Sequence, residues 1–501
     1  MTPRDAQRVV LYVLLAIPLA YILSASYVGL NGGQAWRQAD VYAHILGFTG
    51  TKGFVPFEDF AGQRSIYDIP IYEYVIAKLS LLVRADPLVV TRYFNALLWL
   101  LMTYSGWRIV ETFRQQAGII FLFTIATSPL LLHYFSVPMP DTMALALSIS
   151  ALSLLVGRRL DRARTALVCV LLGTAALIKS PVPFVVLVFY VTWLGVSVLA
   201  RSEDAIFRIR LQWRYVLSPL LVALLCAVLA EALRNKILGQ ELARFAQDPA
   251  WYFGALEMRA SGDLWLRALE RFQAASTRFL GAAYLGLFII AVYPAFKVNR
   301  TVVLAATAAL ISGWLVFPLL YRVHDYYQLP GTFLAYVGIA VAGRGIWDWA
   351  TEKMPPLALG RVVRLEYEFL LMAGLLCYSV AASIAMREIS ELRRTSVHDA
   401  LEYALRDQEW FLYVDDDRKF NENIGPAIGG WASTRFRQIN HGEFDGDCER
   451  WLNEFRAVLV KGGSECLAQQ RSRASFYFAA DGYLFFLLEE SQAPKNHSGS
   501  R

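Results

Sequence analysis

Acidic, basic and tyrosine side chains stand at the ends of the long apolar runs of this sequence. Arg37, Asp40 and His44 follow the first such run, which ends at residue 29. The other side chains of this kind are Asp68, Asp141, Lys179, Arg322, His324, Tyr326 and Tyr327. A carboxylate can take a proton from an attacking hydroxyl, and Arg, Lys, His and Tyr can hold a phosphate while a bond to it breaks. Together they favour group transfer from a phosphate-bearing lipid.

Each of these side chains also has a simpler explanation. Basic and aromatic residues anchor helices at membrane interfaces, and Lys179 reaching to the lipid headgroups would be ordinary snorkelling. Asp141 follows Pro140 at a helix start, where a carboxylate is favourable without any catalytic role. A site is favoured only if these residues share one side of the membrane, and that depends on the elements that position them.

Composition predicts a polytopic α-helical membrane protein. Of the 501 residues, 56% are hydrophobic and 18% are charged, whereas soluble domains carry roughly a quarter charged residues. A spanning helix needs about 20 apolar residues, so the apolar runs predict about eleven spans. They lie at 9–29, 88–110, 117–135, 139–156, 165–178, 182–200, 215–233, 279–296, 301–320, 329–347 and 367–386. We interpret the first as a retained helix rather than a cleaved signal peptide.

The Lys and Arg residues of the connecting loops predict the orientation of the chain. Basic clusters occur near the N-terminus and in the loops around 158–164, 201–214, 297–300 and 353–364. With the N-terminus in the cytoplasm, the external segments are a first long loop at 30–86, a second at 234–278, the short loop 321–328 and residues 387–501. The candidate residues then share the external side. The net charge of +6 needs no nucleic-acid partner, because the basic residues lie in the loops.

The external segments are predicted to have structure of their own. Apolar residues recur at helical spacing within 40–48, 68–83 and 262–272, which predicts amphipathic helices at the membrane surface. Short apolar runs at 409–414, 456–462, 474–480 and 483–489, with helical stretches at 396–407 and 447–456, predict a small external α/β domain over 387–501. Residues 1–386 form the predicted membrane domain. Cys448 and Cys466 lie on the oxidising side, where a disulfide is expected and two free thiols are the alternative.

The order of these motifs resembles a known family. The chain has one helix, a long external loop with WRQAD (36–40), then YDIPIYEYVIA, PMPDTMALALSISALSLL, ALIKSPVPF and HDYYQLPGTFLAYVGIAVAG. Over roughly residues 8–350 this is similar to the bacterial integral-membrane glycosyltransferases of the GT-C superfamily. The similar group is the protein mannosyltransferase-like one that includes the aminoarabinose transferases. The fold class expected is therefore a polytopic GT-C membrane protein with a small external α/β C-terminal domain.

The resemblance implies a transferase for hexosyl or pentosyl groups, with a polyprenyl-phosphate-linked sugar as donor and an inverting reaction at a periplasmic active site. It implies a multi-pass protein of the bacterial inner membrane, working in cell-envelope glycan or lipopolysaccharide synthesis. Asp40 matches the acidic residue that acts as general base in such enzymes, with Asp68 and Asp141 as further acids. The remaining candidates would bind the donor phosphate or sugar: Arg37, His44, Lys179, Arg322, His324, Tyr326 and Tyr327. A divalent metal ion is a candidate cofactor with no ligand set assigned.

The sequence also departs from the family. Where the aminoarabinose transferases carry a Glu-Lys-Pro-Pro run, this chain has Asp68-Ile69-Pro70-Ile71, so the lysine is missing and transfer of aminoarabinose to lipid A is in question. The commonest form of the first loop has two adjacent acids, whereas Val41 follows Asp40. A second acid must then be Asp68 or Asp141.

Two other classes of function compete with a transferase. A transporter or flippase for a lipid-linked sugar is expected to place ionisable residues in the middle of its helices, and the predicted spans are nearly free of them. A scaffolding membrane protein does not explain carboxylates and cations grouped at several external loops. The acceptor stays open among lipid A, a lipid-linked oligosaccharide, a cell-wall polymer and a protein hydroxyl.

Overall fold

A computed structural model describes most of the helices and the C-terminal sheet. The described residues are 3–24, 35–50, 56, 68–157, 160–200, 213, 215–233, 256–260, 262–275, 284–286, 288–289, 299–353, 410–414, 435–455, 457–462, 464–470, 474–480 and 483–488. Their contacts form two compact units. The first contains residues 1–26, 67–72 and 91–387, and the second contains 27–66, 73–90 and 388–501.

The described helices follow the apolar runs of the sequence. In chain order they are α1 Pro3–Ser24, α2 Ala35–Thr49, α3 Ile71–Val83, α4 Pro87–Phe113, α5 Gly118–Ala126, α6 Pro129–Phe135, α7 Pro140–Val156, α8 Arg162–Lys179, α9 Pro181–Leu199, α10 Tyr215–Leu233, α11 Leu256–Ala260, α12 Gly262–Ala275, α13 Arg300–Val316, α14 Pro318–Val323 and α15 Leu329–Lys353. A 3-10 turn, Asp325–Gln328, joins α14 to α15. The amphipathic helices predicted within 40–48, 68–83 and 262–272 fall in α2, α3 and α12.

Three of the described helices are long and apolar enough to cross a membrane, or four if α5 and α6 together make one span. The three are Pro181–Leu199, Tyr215–Leu233 and Asp325–Ile346. The count of about eleven spans stays a prediction, because the segment 367–386 and most of 279–296 lie outside the described residues.

The predicted span 117–135 is not one straight helix. It is divided into α5 and α6, which meet at an angle of 66°. Pro129 is the cause, because proline lacks an N–H and disfavours a helical conformation in the residue before it. Ser128 is accordingly extended, and its hydroxyl accepts a hydrogen bond from the Leu131 N–H at 3.4 Å. The Tyr336 hydroxyl of α15 donates to the same Ser128 oxygen at 3.0 Å, which fixes the break to the bundle.

Several helices of the first unit pack closely against one another. The α7 helix packs on α8 and α9, and α13 packs on α9 and α15. Glycines permit close approach at two other helix contacts of this unit: a Cβ on Gly106 of α4 would lie 2.3 Å from the ring of Phe121 in α5, and one on Gly313 of α13 would lie 2.2 Å from the hydroxyl of Tyr321 in α14. This packing brings the first turn of α7, the last turn of α8 and the first turn of α15 within one unit.

The second unit contains a five-stranded mixed sheet. Its strands are β1 Trp410–Val414, β2 Arg435–Ile439, β3 Ala457–Lys461, β4 Ala474–Ala480 and β5 Tyr483–Leu488, in the spatial order β2-β1-β3-β5-β4. The β1 strand pairs in parallel with β2 and β3, and β5 pairs antiparallel with β3 and β4. The sheet confirms four of the strands predicted from sequence. The fifth, β2, was missed because its RFRQI sequence is too polar to stand out from a loop.

One face of the sheet is covered by three short helices. They are α16 His441–Gly446, α17 Cys448–Glu454 and α18 Glu465–Gln469. Alternate strand residues such as Val458, Val460 and Phe486 pack with Trp451 in one apolar core, as the two-residue period of a strand requires. Cys448 and Cys466 form a disulfide bond between α17 and α18, with their Cα atoms 6.4 Å apart.

Candidate active site

A buried ion pair joins two of the predicted site residues. The Lys179 ammonium lies 2.7 Å from Asp68 Oδ2, and the two side chains are only 5% and 15% exposed. Lys179 is the last residue of α8, where a cation complements the helix dipole. Asp68 precedes the turn that starts α3. Each charge compensates the other for lost hydration. The sequence has isoleucine, not lysine, directly after Asp68. The fold instead places Lys179, from another helix, beside this acid.

Two tyrosine rings cover this ion pair. The Lys179 ammonium lies 5.2 Å from the centre of the Tyr327 ring and 5.8 Å from that of Tyr326, within the range of a cation–π interaction. The His324 ring stacks on Tyr326, with centroids 5.1 Å apart and an interplanar angle of 19°. The 3-10 turn between α14 and α15 makes this local crowding possible. Four predicted residues, Lys179, His324, Tyr326 and Tyr327, are therefore neighbours of Asp68 or of one another.

Tyr134 belongs to the same cluster and was missed from sequence. Its hydroxyl donates a hydrogen bond to Asp325 Oδ1, and its ring lies 5.9 Å from that of Tyr326. The negative charge of Asp141 also acts on this hydroxyl. The available signal was a His133-Tyr134 pair inside an apolar run directly before the predicted SVPMPD turn.

Asp141 lies fully buried in the first turn of α7, two residues after the N-cap residue Met139. The turn that precedes it accepts one hydrogen bond from another helix, and a second hydrogen bond holds the donor of the first. The Asn95 side-chain amide donates to the Val137 carbonyl at 2.8 Å, and the Tyr72 hydroxyl donates to Asn95 Oδ1 at 3.0 Å. Sequence gave no signal for these positioning residues, because the three segments are distant along the chain.

Arg37, Asp40 and His44 form a second group, on α2 in the other unit. Their spacing puts them on one face of the helix. The Arg37 guanidinium lies 3.5 Å from Asp40 Oδ2, and the residues are 3%, 7% and 3% exposed. Burial and, secondarily, the charge of Arg37 lower the pKa of His44 from 6.5 to about 3. His44 is therefore neutral at neutral pH, so it can bind a ligand as a hydrogen-bonding imidazole but not as a cation.

Two predictions about this site, the role of Arg322 and the presence of a metal ion, are not tested by the described residues. Arg322 lies in α14, and its side chain is outside the described part of the structure. For a metal, the described residues contain no group of three or more His, Cys, Asp or Glu side chains that could hold an ion. A requirement for a divalent metal ion stays untested.

Comparison with known proteins identifies solved structures that have a similar fold. A family described as a predicted membrane protein (DUF2142) matches residues 60–253, and no curated protein sequence matches the chain. A crystal structure of ArnT from Cupriavidus metallidurans bound to undecaprenyl phosphate is similar, with a TM-score of 0.63 and 12% identity. The similarity covers 99% of this chain and 100% of that one.

Two further solved structures are also similar to this chain. The archaeal oligosaccharyltransferase AglB from Archaeoglobus fulgidus, in complex with an inhibitory peptide and a dolichol-phosphate, has a TM-score of 0.56 and 12% identity over 97% of this chain and 75% of its own. The mycobacterial arabinofuranosyltransferase AftD has a TM-score of 0.51 and 16% identity, over 97% of this chain and 40% of its own. These are GT-C glycosyltransferases. The chain is thus a membrane protein with the GT-C fold, which confirms the resemblance expected from its sequence.

Proposed function

We propose that the protein transfers a sugar from a polyprenyl-phosphate-linked donor to an acceptor hydroxyl, on the periplasmic face of the bacterial inner membrane. The observation that carries the proposal is the buried Lys179–Asp68 pair beneath Tyr326 and Tyr327. A lysine held in a dry, aromatic setting is a strong binder of phosphate oxygens. The ligands named for the similar ArnT and AglB structures, undecaprenyl phosphate and a dolichol-phosphate, support a lipid-linked phosphate as its partner.

In this proposal Lys179 stabilises the phosphate that leaves. As the bond between the anomeric carbon and the phosphate oxygen breaks, negative charge develops on that oxygen, and a preorganised ammonium stabilises it more in the transition state than in the bound donor. The Asp68 carboxylate holds Lys179 in place. The rings of Tyr326 and His324 offer a flat surface on which a sugar or a prenyl chain can pack. The hydroxyls of Tyr326 and Tyr327 can donate hydrogen bonds to the phosphate.

Asp40 is the general base of the proposed reaction. It takes the proton of the acceptor hydroxyl while that oxygen attacks the anomeric carbon from the face opposite the phosphate, so the configuration inverts. Arg37, 3.5 Å away, balances the charge of this buried carboxylate before the reaction. Asp68 is engaged with Lys179, and Asp141 remains the alternative base.

The experiment is transfer of labelled sugar from a polyprenyl-phosphate donor by the purified protein in detergent. Asp40→Asn keeps the shape of the side chain but cannot accept a proton, so turnover should fall by roughly 100-fold or more, the usual scale for loss of a general base. Donor binding should change little. Glu449→Gln is the matched control, since Glu449 is exposed on α17, and it should leave turnover unchanged.

Two outcomes would contradict the proposal in different ways. Near-normal turnover of Asp40→Asn would move the base to Asp141. Movement of an intact labelled donor across proteoliposome membranes, with no sugar released or transferred, would instead favour a flippase. The sugar and the acceptor class, whether glycan, lipid or protein, are best assigned by mass spectrometry of surface glycans in a deletion strain.

A further inference from the structure

A polar cavity opens at the end of the first unit that is opposite to Lys179. It has a volume of about 650 Å³. Its lining includes the last turn of α4, the connection to α5, Gly157 directly after α7, and Arg344 and Asp348 near the end of α15. Asp141 is in the first turn of α7 and Gly157 caps its other end. A helix of 17 residues is about 25 Å long, so this cavity and the Lys179 cluster are well separated.

The carboxylates of this cavity are already engaged. Asp348 is shared between two arginines: Arg114 Nε donates to its Oδ2 at 3.1 Å, and Arg344 Nε lies 2.9 Å from its Oδ1. The two oxygens of Glu111 accept the backbone N–H groups of Gln116 at 3.0 Å and of Gly118 at 2.9 Å. Each carboxylate thus has its own partners, and among the described residues neither forms an ion pair with a third cation.

Arg108 supplies that third cation. It is exposed on α4, lines the same cavity, and forms no ion pair within the described part of the chain. Three guanidinium groups therefore face two carboxylates, which leaves a surplus positive charge. Asp348 also holds Arg114 and Arg344 in fixed orientations, so less side-chain freedom is lost when they bind a ligand.

We propose that this cavity binds a phosphate group, supplied by the headgroup of an anionic phospholipid in the leaflet opposite to the active site. A guanidinium fork matches the geometry of phosphate oxygens, and basic pockets between membrane helices are typical binding sites for anionic headgroups. In the orientation that the basic loops predict, this end of the bundle faces the cytoplasm, where such lipids carry the negative surface charge. The ligand would tie α4 to α15 from the side remote from the chemistry.

The test is binding of short-chain phosphatidylglycerol to the purified full-length protein, followed by native mass spectrometry and by the thermal unfolding midpoint. Phosphatidylglycerol should bind and raise the midpoint, whereas phosphatidylcholine of the same chain length should not. Arg108→Gln should weaken phosphatidylglycerol binding about 10-fold, the scale of one lost charged contact, and Arg108→Lys should restore only part of it, because an ammonium keeps the charge but not the fork geometry. Because Arg108 is exposed and has no ion pair with the described residues, its replacement should leave the midpoint of the lipid-free protein unchanged.

A control variant and a binding measurement with inorganic phosphate distinguish a specific lipid site from non-specific surface charge and from a site for free phosphate. Arg164→Gln removes an exposed arginine of α8 that does not line the cavity, and it should bind phosphatidylglycerol as the unaltered protein does. Equal loss in Arg108→Gln and Arg164→Gln would show non-specific surface charge and overturn the proposal. Binding of inorganic phosphate with the same Arg108 dependence, and without preference for the lipid, would keep the phosphate site but overturn its lipid source. If neither phosphatidylglycerol nor inorganic phosphate binds, the proposal is wrong, and the ion pairs of Asp348 with Arg114 and Arg344 serve only to hold the helices together.

Discussion

Replacing Lys179 separates its structural role from its proposed role in binding the donor. Lys179→Met keeps most of the side-chain volume but removes the ammonium that lies 2.7 Å from the Asp68 carboxylate. Removing one partner of a buried ion pair costs about 3–5 kcal/mol of folding free energy. Asp68 keeps 15% of its side-chain exposure, so we expect a loss of about 3 kcal/mol, the low end of that range.

A second variant removes that structural cost. In Lys179→Met/Asp68→Asn neither side chain of the pair carries a charge, and an apolar or neutral pair in place of an ion pair is often close to neutral in stability. Most of the lost stability should therefore return. Donor binding should not return, because a hydrogen bond to a charged group is worth about 1.5–3 kcal/mol. That loss corresponds to a dissociation constant about 10- to 150-fold higher.

The assay pairs two measurements on the same samples. Thermal unfolding in detergent reports stability, and equilibrium binding of polyprenyl phosphate, with KM for the labelled donor, reports the phosphate contact. Lys78→Met is the matched control, since Lys78 is exposed on α3 with its ammonium 5.2 Å from the Tyr74 ring, and it should change neither. If the double variant recovers both stability and donor binding, Lys179 only compensates Asp68 and the proposed phosphate site is wrong.

Three further predictions concern other parts of the molecule. Because the pKa of His44 is about 3 in the folded state against 6.5 in the unfolded chain, its contribution to stability is complete above pH 6.5 and is lost as the pH falls. Below about pH 5.5 the free energy of unfolding should fall with a slope that approaches about 1.4 kcal/mol per pH unit, and an equal slope in His44→Gln would refute this. Cys448→Ser/Cys466→Ser, which opens a bridge of sequence separation 18, should lower stability by about 3 kcal/mol, and non-reducing mass mapping that finds both thiols alkylatable would contradict it. A reporter active only in the cytoplasm and fused after residue 400 should be silent, and activity there would reverse the proposed orientation.

The secondary structure was largely predictable because it depends on local patterns. Long apolar runs predicted α4, α7 and α8 to within a few residues of their observed ends. The break at Ser128 was also present in the sequence, as a proline inside an apolar run, but length and hydropathy alone do not distinguish a straight span from a bent one. The polar edge strand β2 had no comparable signal, because only its pairing with β1 identifies it as a strand.

The site was predictable residue by residue but not as an arrangement. The crowding of His324, Tyr326 and Tyr327 is local, so sequence could find it. The Lys179–Asp68 pair joins residues 111 positions apart, and the Tyr134–Asp325 hydrogen bond spans 191 positions. Such contacts depend on how the helices pack, which a single sequence does not encode in any local pattern.

The bend between α5 and α6 has a consequence for how the protein is made. These helices have nine and seven residues, and each is far shorter than the roughly 20 residues that cross a bilayer. Ser128 at their junction receives the hydroxyl of Tyr336, which lies 208 positions later. During synthesis the bent segment therefore reaches the membrane well before the partner that stabilises its junction. Since α6 carries Tyr134 and its hydrogen-bond partner Asp325 lies 191 positions later, the aromatic cluster can be completed only after the 3-10 turn has been translated, which makes assembly of the site a late step in biogenesis.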